Sequence, residues 1–220
     1  MTDNMKILEK KKSYKDYLDK TFLEELNYKI WSTKGSRFNA NKRLLKIADL
    51  SNLCLSMLSV YLIAVGLLSV YNIYSPQTID ENLIAYSITC LSILILVFGQ
   101  IENAKDFSTK AKQYHTCGLE LSSLYNDLRV FKTLTKKPKL SKKKEFSKKI
   151  SSKYERILER HENHQPIDHN IFKASKAEYH ELNNFDVFKI KTDYYIKTAL
   201  IYHTLIVFPP IVIIGLLIKT

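Results

Sequence analysis

Residues 50–71 read LSNLCLSMLSVYLIAVGLLSVY, and residues 82–101 read NLIAYSITCLSILILVFGQI. Neither stretch holds a charge. The first uncharged run extends from Leu50 to Ile79, and a third lies from Thr198 to Ile218. About 20 residues at about 1.5 Å each cross a hydrocarbon core of about 30 Å. A soluble helix of that length normally turns one face to water and carries charge there. Buried helices of a soluble bundle are the competing reading, and three such lengths without a charge weigh against it. Tyr71 and Tyr74 suit a headgroup interface, and Ser75-Pro76-Gln77-Thr78 suits a turn. The first two runs therefore form an antiparallel membrane hairpin.

Whole-chain averages hide this pattern. A chain of 220 residues with 45% hydrophobic and 25% charged residues resembles an ordinary soluble protein. So does its mean hydropathy of -0.18. The net charge is +12, and the Lys and Arg responsible lie before Leu50 and from Asn103 to Lys197, with Lys219 beyond. The link 71–83 has none and carries Asp80 and Glu81. That asymmetry places the amino terminus and the long middle region in the cytoplasm and the link outside, as expected of a multi-pass protein of the inner (plasma) membrane. Membrane lipids are the expected partners of the basic excess, through anionic headgroups. No direct nucleic-acid partner is expected, because no RNP-like or zinc-finger pattern accompanies the charge. No cleavable signal peptide is expected, since the first forty residues are Lys-rich and lack an apolar core. Cys54, Cys90 and Cys117 lie far apart without CxxC spacing, and read as small core residues in a reducing or membrane setting.

The fold class is all-α: a membrane hairpin with long cytoplasmic helical extensions and a third carboxy-terminal membrane helix. Residues 1–49 form cytoplasmic helices, one over 5–29 and a second from near Ser36, separated by a break at Ser32-Thr33-Lys34-Gly35-Ser36. Arg43 and Lys46 belong at the headgroups. The hairpin occupies 50–102. Over 103–134 the second span runs on without a break as a cytoplasmic helix. Its heptad-like seam of Ala104, Phe107, Ala111, Tyr114, Gly118, Leu121, Tyr125 and Leu128 faces the helix that enters the first span. Residues 135–144 (TKKPKLSKKK) are a basic linker, mobile and near the membrane. Residues 145–197 are further cytoplasmic helices around a turn at 161–169 (HENHQPIDH). The third block, 198–218, contains Pro209-Pro210, which predict a kink near Phe208. A re-entrant or interfacial segment is the alternative to a full span there.

Chemistry-bearing patterns are sparse. His161, His164, Asp168 and His169 crowd within nine residues around a proline, which suits loop hydrogen bonds better than a metal cage. Asn163, His164 and Asp168 are candidates for a regulatory turn. There is no Gly-rich phosphate loop and no nucleophile-base order, so neither an enzymatic activity nor a cofactor or metal is expected. In the spans, Asn52, Ser56, Ser59, Gly66 and Ser69 fall near one helical face, and Ser92, Gly99 and Gln100 near another. Such residues permit close helix packing or line a narrow aqueous path. Both readings stand. With no charge inside a span, neither voltage sensing nor proton relay is indicated.

Particular residues resemble a known family. Trp31-Ser32-Thr33-Lys34 through Arg37-Phe38-Asn39-Ala40-Asn41-Lys42-Arg43-Leu44 is similar to the helix before the first span of the SLATT family. The SLATT domains are SMODS- and SLOG-associating two-transmembrane effectors of bacteria. Ser51 with Leu58-Ser59-Val60-Tyr61-Leu62-Ile63, the helix carrying Ala104 to Tyr125, and Tyr154, Leu158, Asn163-His164 and Asp168 extend the likeness over about 20–205. It is nearest to the subgroup with an additional carboxy-terminal hydrophobic segment. The resemblance implies a membrane effector of an anti-phage conflict system. On activation it would oligomerise into a pore and disrupt the membrane, with a nucleotide second messenger or a protein as upstream trigger. It supplies no catalytic residues. The alternative is a non-conducting membrane scaffold or receptor that recruits a cytoplasmic partner.

Overall fold

The computed structural model describes residues 21–74 and 81–219. Every regular element among them is a helix. α1 is Phe22–Tyr74, α2 Glu81–Lys105, α3 Phe107–Leu134, α4 Leu140–Glu159, α5 Pro166–Ala174 and α6 Asn184–Tyr195; a π-helical turn, Ile196–Leu200, leads into α7, Ile201–Lys219. The turn at Pro76 and the segment before Thr21, including most of the helix expected over 5–29, lie outside the described residues. Three helices are long and apolar enough to cross a membrane, and only 17%, 6% and 17% of their apolar windows are buried by the chain itself. Faces so apolar and so uncovered belong against lipid or another chain, not water. The molecule is an all-α membrane protein.

The helices contribute to two compact units: a basic one from residues up to Ala40 and Tyr114–Thr192, and an apolar one from Asn41–Gln113 and Asp193 onward. In the basic unit, Leu26 and Ile30 of α1, Cys117, Leu121, Leu124 and Leu128 of α3, and Ile150 and Ile157 of α4 form one core. The α3 members recur at steps of four and three, the spacing of the seam read from sequence. Gly118 belongs to that seam because the Phe38 ring lies on its backbone; a Cβ there would stand 2.9 Å from Phe38 Cε1. Phe131 and Phe146 stack at 3.8 Å over the far end. α4 begins at Leu140, inside the stretch expected to be linker.

Two expected features differ in the structure. The break at Ser32–Ser36 does not occur, and α1 is a single helix through it. Ser36 Oγ turns back to donate to the Ser32 carbonyl, and Ser32 Oγ to that of Lys29. Gly35 is a contact position: a Cβ there would overlap the Phe172 ring. Conversely, the second span does not run unbroken into α3. The chain turns at Asp106, whose φ is 44°. Aspartate tolerates this left-handed conformation better than most residues. It then opens α3, its Oδ1 accepting from the Thr109 N–H at 3.4 Å and its carbonyl from Lys110 N–H at 3.2 Å.

In the apolar unit, Leu44, Ile47, Ser51, Cys54, Leu58 and Val65 form the buried stripe of α1. Asn41 Nδ2 donates to the Ala111 carbonyl at 2.9 Å. Arg43, placed at the headgroups by the sequence reading, is buried. α7 stays helical through Pro209 and Pro210. The irregularity near this block is the π-helical turn that precedes it.

Candidate functional site

The turn at 161–169 is built around an arginine from α1. Arg37 is fully buried, although its guanidinium has five donors to satisfy and no acceptor. Its Nη1 donates to the Glu162 carbonyl and its Nη2 to Asn163 Oδ1 at 3.3 Å, while its plane lies 5.5 Å from the Tyr114 ring centroid. Tyr114 donates its hydroxyl to the Asn163 carbonyl at 2.9 Å. One turn of chain is thus tied to both α1 and α3. Asp168 is fully buried and caps α5, its Oδ2 accepting from the Gln165 N–H at 3.1 Å, with Pro166 at the first helical position. Asn39 Nδ2 reaches the Asp168 carbonyl at 3.2 Å. His169 Nδ1 pairs with Ser36 Oγ at 3.0 Å, and His161 Nε2 with Glu120 Oε1 at 3.3 Å.

The electrostatics here favour neutral histidines. Burial, reinforced by the Arg37 charge, pushes His164 down to about 4. Burial, with Lys173 and His169 adding, does the same to His180. His169 is lowered by burial and by Lys173. His164 Nδ1 and Arg37 Nε are buried without a protein partner among the described residues. Trp31 and Phe172 meet edge to face with centroids 4.7 Å apart, and Phe172 stacks on His169 at 6.1 Å. The three turn candidates therefore come together. Asn163 and Asp168 serve as anchors, and His164 beside them is half-buried.

A second polar centre lies at the foot of the apolar helices. Glu102 is 6% exposed and is shared by three helices. It accepts the Tyr202 hydroxyl of α7 at 2.7 Å, pairs with Lys105 at 2.7 Å and takes a hydrogen bond from Ser51 of α1. Beside it is a small polar recess of ≈ 140 Å³, with Ser51, Asn52, Asn103 and Asp106 on its walls. A larger groove of ≈ 570 Å³ between α3 and α4 has charged walls that pair with each other, Arg160 with Glu120 at 2.7 Å and Lys153 with Asp127 at 3.8 Å.

Of the span candidates, Asn52, Ser56, Ser92 and Gln100 are exposed, and Ser59, Gly66, Ser69 and Gly99 are half-buried. Only Asn52 reaches a polar centre. Ser56, Ser59 and Ser92 each donate to the carbonyl four residues back, at 2.8–2.9 Å. An added Cβ at Gly66 would meet nothing within 4 Å, and at Gly99 only Leu55 at 3.6 Å. Arg37 and Glu102 were not singled out as site residues from the sequence. A charged residue with one polar and one apolar neighbour on a helix carries no sign of burial until its partners, far along the chain, are known.

The model of the SMODS and SLOG-associating 2TM effector domain family 5 matches residues 19–216. The chain belongs to this family. No curated protein and no solved structure matches it. Membership makes this SLATT chain a membrane effector of conflict systems, and the match takes in the α1 segment, the 161–169 turn and nearly all of α7. The Arg37 knot and the Glu102 centre are accordingly features of the effector domain itself.

Proposed function

We propose that this SLATT protein is a bacterial inner-membrane effector that assembles into a homo-oligomeric pore and dissipates ion gradients when triggered. The observation that carries the reading is the pairing of family membership with three apolar helices that the chain leaves largely uncovered. One hairpin and one further helix cannot enclose a pathway, so several copies are needed. The basic unit lies in the cytoplasm and holds the assembly closed until a nucleotide or protein signal shifts the population. Expression in bacteria with a potential-sensitive dye tests this. Induction together with the trigger should collapse the membrane potential within minutes. Full membrane insertion with an intact potential, trigger present, would defeat it. Labelling of cysteines placed at Pro76 and Lys143 should proceed from opposite sides of the membrane.

A second reading is a non-conducting scaffold that recruits a cytoplasmic partner. It is favoured by the hydroxyls of Ser56, Ser59 and Ser92, which are satisfied by their own helices and need no water beside them. Its signature is a stable partner complex with unaltered ion permeability in liposomes.

A further inference from the structure

Proline has no N–H, so Pro209 and Pro210 leave the carbonyls of Leu205 and Ile206 without their usual helical donors. In lipid no water can take their place. Tyr61 of α1 fills one of these vacant roles: its hydroxyl donates to the Ile206 carbonyl at 2.8 Å, the oxygen residue 210 would otherwise serve. One end of α7 is tied in the same way, Tyr202 donating to buried Glu102 at 2.7 Å. Elsewhere α7 holds on weakly. Val207, Phe208, Ile211 and Ile214 are all more than half exposed. Its amino-terminal joint is the π-helical turn, a wide turn frequent at functional sites, and there the Thr198 hydroxyl is buried without a partner among the described residues.

We infer, granting the conducting reading above, that α7 is a detachable wall of the hairpin, fastened by the positioning residues Tyr61 and Glu102, and that the pathway opens when it comes away. Polar contacts between membrane helices are individually modest, about threefold to twentyfold each in a docking equilibrium. Two such fastenings can hold a helix at rest and still yield to a signal. A wall held by a broad apolar interface would not release so readily.

The test uses the full chain in liposomes, with spin labels on cysteines placed at Val60 and Val207 and exposed Cys90 replaced by serine. Tyr61→Phe and Tyr202→Phe, which remove the two donating hydroxyls, should each broaden the label distance and raise the untriggered ion leak, about threefold to twentyfold. In a Pro210→Ala background, where residue 210 supplies its own N–H to the Ile206 carbonyl, Tyr61→Phe should change both readouts less than it does in the parent. That reduced effect separates completion of the backbone from a general loss of packing. Distances unmoved by either single variant, or an equal effect of Tyr61→Phe in both backgrounds, would overturn the fastening. Broadened distances with an unchanged leak would instead overturn the opening step, and with it the conducting reading, while the fastening stood.

Discussion

The two units solve the same problem with opposite materials. In the basic unit a continuous core of Leu26, Ile30, Leu121, Leu128 and Ile150 is closed by apolar contact, with one buried cation, Arg37, fixing a turn. In the apolar unit the outer faces of the helices stay open, and the contacts that single out one arrangement are polar: Asn41 to Ala111, Tyr61 to Ile206, Tyr202 to Glu102. Water makes apolar burial the driving force. Lipid removes that force between helices and leaves packing and hydrogen bonds to choose partners. The same residue type therefore carries different weight in each unit.

The sharpest way to break the comparison is Arg37→Ala, which strips the Glu162 carbonyl and Asn163 of their buried donor. A loss of about 3–5 kcal/mol is expected, read as the fall in denaturation midpoint of the detergent-solubilised chain. Next, Leu121→Ala should cost about 2–5 kcal/mol. The identical change at Leu96, 66% exposed on the apolar unit, should stay within about 0.5 kcal/mol. Equal losses at Leu121 and Leu96 would erase the contrast.

Acid sharpens it further. His164 and His180 are held near 4 in the fold, against 6.5 for a free side chain. Above pH 6.5 both are neutral, folded or unfolded, and contribute no pH dependence. Below it the unfolded chain takes up protons that the folded chain refuses, so stability falls as pH drops from about 6.5 toward 4. Solvent screening discounts both shifts, so at pH 5 the expected loss is under about 1 kcal/mol per histidine. Hydrogen exchange should show it as lost protection in residues 160–182, with the apolar helices unaffected. A small effect is also expected at Gly66→Ala. The position is open, and a change within about 1 kcal/mol in the stability of the single chain follows. A fall in cross-linked oligomer with that variant would place Gly66 at a contact between copies.

Much of this architecture was legible in the sequence because it rests on local pattern. Three uncharged lengths marked the membrane helices, and the three-four spacing of α3 marked its buried seam. Errors arose where one residue's backbone or a distant partner decides. Periodicity is blind to a single left-handed residue, so the seam was carried straight through Asp106. Gly35 between serines has the composition of a break, and only the arrival of Phe172 makes it a contact. The prolines of α7 predict a kink near Phe208 and say nothing of what completes the backbone. The helix continues there, and Tyr61, remote in sequence, donates to one of the two carbonyls they leave short. For the site, the turn residues Asn163, His164 and Asp168 were visible as a cluster. The arginine that organises them was not, because burial of a charge depends on oxygens brought from elsewhere.

The Arg37 knot joins residues 125 and 126 positions apart, and both hairpin helices are synthesised between them. A ribosome delivers the first two apolar helices to the bilayer while Arg37 is still hydrated and its oxygen partners are unmade. The basic unit can close only afterwards, once the chain beyond Asn163 has emerged. Nascent and prematurely terminated chains are thus membrane-inserted but lack the knot, and any restraint the finished domain exerts is absent until translation is almost complete.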